Sequence, residues 1–148
     1  MYLSTNFTLD EFTNSQTAER NGIDNTPPDS MLPTLRQTAY GLELVRTLLN
    51  NKPILISSGY RSAALNSAAG GAQGSQHLLG EACDFTCPAF GTPEQIVQAI
   101  VASKIPYDQV IQEFYNPAKR TGWVHISFGP RNRRQALTID KTGTRPFK

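Results

Sequence analysis

Apolar residues recur at helical spacing after Ser30, at Leu32, Leu35, Leu42, Val45, Leu48 and Leu49. Pro33 sits where a first helical turn tolerates proline, so the pattern predicts a long helix ending near Asn50–Asn51. The period then changes. Pro53 to Ser58 is a short apolar run rich in β-branched residues and reads as a strand, and Ala82 to Cys87 alternates and reads as a second. Thr92-Pro93-Glu94-Gln95 opens a helix with a cap, a proline at the first position and a capping-box partner, and its apolar face is Ile96, Ile100 and Val101. Gln109 to Tyr115 and Trp123 to Phe128 read as two more strands joined by the polar turn Asn116 to Gly122.

Between these elements the chain is polar or small. Thr8 and Glu11 mark a short capped helix start, and Asn21 to Asp29 is turn-rich. Residues 62 to 76, full of Ala, Gly, Ser and Asn, predict a mobile loop leading into His77. No internal repeat is present. The order helix, strand, strand, helix, strand, strand predicts an α+β fold with a small, mostly antiparallel sheet flanked by helices.

A length of 148 residues fits one domain spanning 1–148, with a core over about 7–137 and a basic tail at 138–148. The net charge of +2 is too small to argue for nucleic acid and would not repel an anionic polymer. Arg131, Arg133, Arg134, Lys141, Arg145 and Lys148 cluster late and read either as a solvated tail or as a patch for an anionic partner. No aromatics interleave with them, which leaves a nucleic-acid module without support. Two cysteines, Cys83 and Cys87, cannot build a disulfide framework. The N-terminus shows no signal-peptide pattern and no apolar stretch is long enough to span a bilayer. The expectation is a monomer made in the cytoplasm that needs another agent to reach any substrate outside.

The chemistry centres on the two histidines, His77 and His125. A lone histidine is usually structural. Two in short polar motifs, one at fixed spacing from Asp84, favour a metal. Imidazole nitrogens with one carboxylate suit a single zinc ion better than calcium or magnesium, which prefer oxygen. Gly80 lets the chain turn back between His77 and Asp84, and His125 arrives from another strand. Alternation puts Trp123, His125 and Ser127 on one strand face, with Val124, Ile126 and Phe128 on the other. If the hairpin centres on Lys119, Glu113 falls opposite His125 and reaches a metal-bound water, and a one-residue slip would turn it away. Otherwise Glu113 is an exposed strand carboxylate. Alternation sends both cysteines away from Asp84, as small buried hydrophobes. A four-ligand structural zinc site, the competing idea, would need a further ligand facing the ion.

At these residues the sequence resembles the zinc D-alanyl-D-alanine peptidases of the hedgehog/DD-peptidase fold. Ser75, His77, Gly80, Ala82 and Asp84 match the family pattern Ser-x-His-x-x-Gly-x-Ala-x-Asp, and Trp123 and His125 match Trp-x-His. Ser58-Gly59-Tyr60-Arg61-Ser62 matches the segment carrying a substrate-binding arginine. The resemblance runs from about Phe7 to Leu137. It implies zinc on His77, Asp84 and His125, with Arg61 and Ser75 contacting substrate. It further implies cleavage of cell-wall peptides containing D-amino acids, in the manner of phage or prophage lysis enzymes released through a holin. Well-known members carry the catalytic carboxylate three residues before the last ligand, where this chain has Gly122. The base is then Glu113, with Asp108 as the fallback, or else the domain binds the wall without turnover. Arg61 stabilises a developing oxyanion or else forms a surface ion pair. Trp123 walls the pocket or packs in the core.

Overall fold

The computed structural model describes residues 1–148. Helix α1 (Leu9–Thr13) opens on Thr8, whose hydroxyl accepts from the Glu11 amide while the Glu11 carboxylate accepts from the Thr8 amide. Ser15 caps α2 (Gln16–Arg20). A 3-10 turn at Asp29–Met31 leads into α3 (Leu32–Leu48), whose apolar stripe buries Leu35, Ala39, Leu42 and Val45. Strand β1 (Leu55–Ser58), α4 (Ala63–Ala68), a 3-10 turn at Gln76–Leu79 and β2 (Ala82–Thr86) follow. Helix α5 (Pro93–Ala102) starts on the capping box of Thr92 and Gln95. The chain ends with β3 (Gln109–Asn116), β4 (Thr121–Ser127), β5 (Gln135–Asp140) and β6 (Gly143–Pro146).

The six strands run in the order β1-β2-β4-β3-β5-β6, and only β3 and β5 are parallel. This is the α+β arrangement that the hydrophobic pattern predicts. Alternation gives the sheet two characters. Cys83, Phe85, Val110, Val124 and Ile126 share one core with Leu35 and Leu42 of α3 and Ile96, Val97 and Ile100 of α5. Each such side chain contributes roughly 1.5–3 kcal/mol by leaving water, so this face holds the fold together. Both cysteines are free and fully buried in that region. The opposite face of β2, β3 and β4 carries Asp84, Glu113 and His125.

Two expectations fail. Residues 62–76 are not a loop throughout: the Ser62 hydroxyl caps α4 through the Leu65 amide, Leu65 and Asn66 are buried, and Asn66 donates to the Ala72 carbonyl. The basic stretch at 138–148 is largely solvent-exposed but is not an irregular tail, because the end of β5 and all of β6 lie in it and pair with each other. The guanidiniums have structural partners. Arg133 donates twice to Asp108, at 2.8 and 2.9 Å, and Arg145 grips both oxygens of Asp140. Arg134 lies over the Tyr107 ring, 4.7 Å from its centroid.

Candidate metal centre

Three elements deliver the cluster. In the β2–β4 ladder Asp84 stands opposite His125, and His125 Nδ1 is 3.0 Å from Asp84 Oδ1. His77 comes from the 3-10 turn before β2. Ser75 caps that turn by accepting from the His77 amide at 3.2 Å. Gly80 closes it at φ +74°, a left-handed conformation open to glycine, so the chain reverses into β2. Thr38 of α3 pins the reversal by donating to the Gly80 carbonyl at 2.6 Å.

His77 Nδ1 lies 2.6 Å from the Gly59 carbonyl, which accepts its N–H and leaves Nε2 with its lone pair toward Asp84 Oδ1, 3.3 Å away. Gly59 is held in turn by α1. A Cβ there would stand 2.6 Å from the Phe12 carbonyl oxygen. All three cluster side chains are buried, and their donor atoms lie within 4.8 Å of one another. Ligands ~2.0–2.2 Å from a tetrahedral zinc have neighbouring donors roughly 3.3–3.5 Å apart. The observed 3.0 and 3.3 Å edges come close to that spacing, and two nitrogens with one oxygen are a zinc-type donor set.

Burial alone would raise the carboxyl pKa of Asp84. Hydrogen bonds from His125 and His77, and their positive charge when protonated, outweigh it and hold Asp84 well below the ordinary carboxylate range. Asp84 is therefore an anion. Its other oxygen, Oδ2, faces Arg61 Nη2 at 3.4 Å. Arg61 is fixed further by donating from Nε to Ser58 Oγ at 3.0 Å and from Nη1 to Asn66 Oδ1 at 3.4 Å.

Glu113 reaches the cluster by a different register from the expected one. His125 pairs with Ile111, and Glu113 pairs with Trp123, two residues along β4. An even displacement keeps the side chain on the same face, and Glu113 Oε1 ends 3.8 Å from His125 Nδ1 on the diagonal. Burial pushes the Glu113 carboxyl up, the charge of Asp84 adds to the rise, and His125 and Arg61 offset part of it.

The sequence model of the family described as Peptidase M15 matches residues 5–127. This chain belongs to the peptidase M15 family. A stretch of 47 residues, 32% of the chain, is 40% identical to the zinc D-Ala-D-Ala carboxypeptidase of Streptomyces albus G. That stretch spans 18% of the relative's length.

In this M15 peptidase Gly122 is glycine for a structural reason. Its φ is +104°, and a Cβ would meet Tyr115 Cα at 2.6 Å and the Glu113 carbonyl oxygen at 2.8 Å. The β3–β4 bulge leaves no room for a carboxylate there. Asp108, the fallback base, is excluded by its surroundings: it is fully buried, and Arg133, Arg131 and Gln76 all donate to its oxygens. It anchors the chain before β5.

Trp123 is half-buried, and its indole N–H faces the Glu113 carboxylate. Its ring stacks on Phe114 with centroids 5.5 Å apart. Phe114 was not foreseen as a neighbour of the site, since strict alternation assigns it to the other face. Its φ of +52° within the bulge turns the ring onto Trp123 instead. Asn66 and Gly59 were also missed. They act through Arg61 and His77, and the pattern of apolar positions carries no sign of such support.

Proposed function

We propose that this M15 peptidase is a zinc metallopeptidase that hydrolyses stem or cross-bridge peptides of peptidoglycan. The observation that carries the reading is the buried His77–Asp84–His125 cluster with Arg61 on one side and Glu113 on the other. His77 Nε2, Asp84 Oδ1 and His125 Nδ1 would hold one ion. Zinc bound there supplies a Lewis acid and a coordinated water with a pKa near ~7. The protein's own groups do the rest. Glu113 Oε1 takes the proton of the attacking water and returns it to the leaving amine, a task for which a carboxyl raised by burial is suited. Arg61, braced by Ser58 and Asn66, presents its guanidinium to the substrate's carbonyl or carboxylate oxygen and stabilises the charge that develops there. Trp123, with Phe114 against it, walls the Glu113 side. Ser75 contributes by holding the His77 turn and stands beside the substrate path.

Purified protein incubated with peptidoglycan releases new amino termini, and a chelator abolishes the release until zinc is restored. Tight wall binding without release would favour the second reading, a zinc-containing wall-binding domain of the same fold. The missing carboxylate at Gly122 is what favours that alternative. A phage or prophage lysis setting rests on the resemblance to short lysis enzymes, and lysis of bacteria exposed to the protein from outside tests it. No helix is long and apolar enough to cross a membrane.

A further inference from the structure

We infer that the groove along the open edge of β1 is the subsite for the part of the peptide lying away from the scissile bond, held there as an added strand. The inference rests on the peptidase reading above and extends it to the substrate's length. The groove has a volume of about 720 Å³; Ile56, Ser57 and Ser58 of β1 line it, with residues of α2 and α4 and with Arg61. That volume suits a bound segment of a few residues.

Strand β1 is the outermost strand and pairs only with β2. The backbone groups of Leu55–Ser58 make no hydrogen bond elsewhere in the chain. An open edge lying inside a walled groove is a template for an extended backbone, in which main-chain hydrogen bonds give affinity and the walls read the side chains. Glu19 and Arg20 of α2 place both charge signs on one wall, matching a peptide that carries free carboxylates and an amine.

The groove joins the metal cluster at a defined point. Ser58 is the cross-strand partner of Asp84, and Arg61 both lines the groove and reaches Asp84. A strand added outside β1 lies ~4.8 Å from it and ~10 Å from β2. Residues seated in the groove therefore do not touch the ion. The peptide crosses the Arg61 guanidinium before its scissile bond meets the cluster. Remote binding of this kind places the reacting bond, so a truncated substrate loses kcat as well as affinity.

Amide hydrogen exchange on the metal-free protein tests binding without turnover. Adding a wall-derived peptide of about five residues slows exchange at amides within Leu55–Ser58, and Ala69→Trp, at an exposed groove position, abolishes the slowing. In the zinc-loaded enzyme Ala69→Trp lowers kcat/KM for the long peptide by about tenfold and leaves a D-Ala-D-Ala dipeptide within about twofold. Arg20→Glu, on the other wall, shifts the long-peptide KM in the same direction and guards against a folding defect in the first variant. Unchanged exchange, with both variants affecting long and short substrates alike, overturns the groove while a cleaving wild type keeps the peptidase. Protection of β1 in a protein that cleaves nothing with zinc supports the groove and overturns the peptidase.

Discussion

Arg61 Nη2 stands 3.4 Å from Asp84 Oδ2, while His77 and His125 both face Oδ1 of the same carboxylate. The two oxygens thus have separate partners, one in the candidate metal cluster and one bound to a fixed cation. Buried Asp84 keeps its charge because cationic or donor groups surround it.

That division predicts the behaviour of Arg61 variants. Arg61→Ala lowers kcat roughly 10²–10³-fold, the usual loss when one stabilising donor is removed, while zinc content stays near one ion per chain. Arg61→Lys restores little. A single ammonium cannot bond Ser58, Asn66 and Asp84 in the planar pattern of a guanidinium. Steady-state kinetics with metal analysis on the same preparations checks both. A Lys variant with near-normal kcat would show that only the charge matters.

Glu113→Gln keeps the side-chain shape and removes the proton acceptor, so turnover falls about 10²–10⁴-fold with zinc retained. Adding Gly122→Glu to that variant does not rescue it. The backbone at Gly122 is at φ +104°, and a Cβ collides with the β3 backbone. The double variant melts at a lower temperature than Glu113→Gln alone. Recovery of activity in it would mean that the backbone at Gly122 yields to a side chain and that a carboxylate there can take over the proton transfer. Near-normal turnover in Glu113→Gln alone would show that Glu113 is not the base.

The cluster and the fold class were legible because they rest on local signals. His77, Gly80 and Asp84 lie within one short motif, and β2 and β4 alternate cleanly, which places Asp84 and His125 on one face. The helix at Leu32–Leu48 follows its 3.6-residue period. Register was not legible. Phe114, Arg120 and Gly122 all adopt positive φ around the β3–β4 hairpin, and only the folded ladder reveals how many residues such a bulge absorbs. Helix α4 was hidden by its small residues, although Ser62 carries a genuine cap. Strand β5 was hidden because its partner β3 is distant in sequence and parallel. Nothing local announces that pairing, or that Arg133 just before β5 meets Asp108 just before β3.

The Asp108–Arg133 contact makes a prediction about acid stability. Hydrogen bonds from Arg133, and from Gln76, hold the Asp108 carboxyl well below its ordinary range despite its burial. In the unfolded chain the group titrates near ~3.9. Its folded value is depressed, so its stabilisation is complete above about pH 5 and is lost as pH falls through the unfolded value toward the folded one. Asp108→Asn therefore costs about 1–3 kcal/mol at pH 7, the range for leaving buried donors poorly matched. The gap from wild type narrows below about pH 4. Urea denaturation across pH 2–7 measures it. A gap that stays constant with pH would show that packing, not charge, is what Asp108 supplies.

Gly59 links the fold to His77 and yields the last prediction. Its carbonyl accepts the Nδ1–H of His77 at 2.6 Å, which fixes both the tautomer and the aim of Nε2. Gly59 can sit there because it lacks a side chain: a Cβ would lie 2.6 Å from the Phe12 carbonyl oxygen and 2.8 Å from Phe12 Cα, both backbone atoms of α1 that cannot swing aside. Gly59→Ala must therefore push β1 and α1 apart or shift the carbonyl, and either movement loosens His77. Zinc affinity falls about 10–100-fold, the usual loss when the partner behind a ligating histidine is disturbed. The metal-free protein also loses stability. Competition with a chromophoric chelator reads the first effect and thermal melting of the metal-free chain reads the second. A variant that melts early yet binds zinc with wild-type affinity would separate the packing of Gly59 against α1 from the orientation of His77, and would leave the hydrogen bond without a role in metal binding.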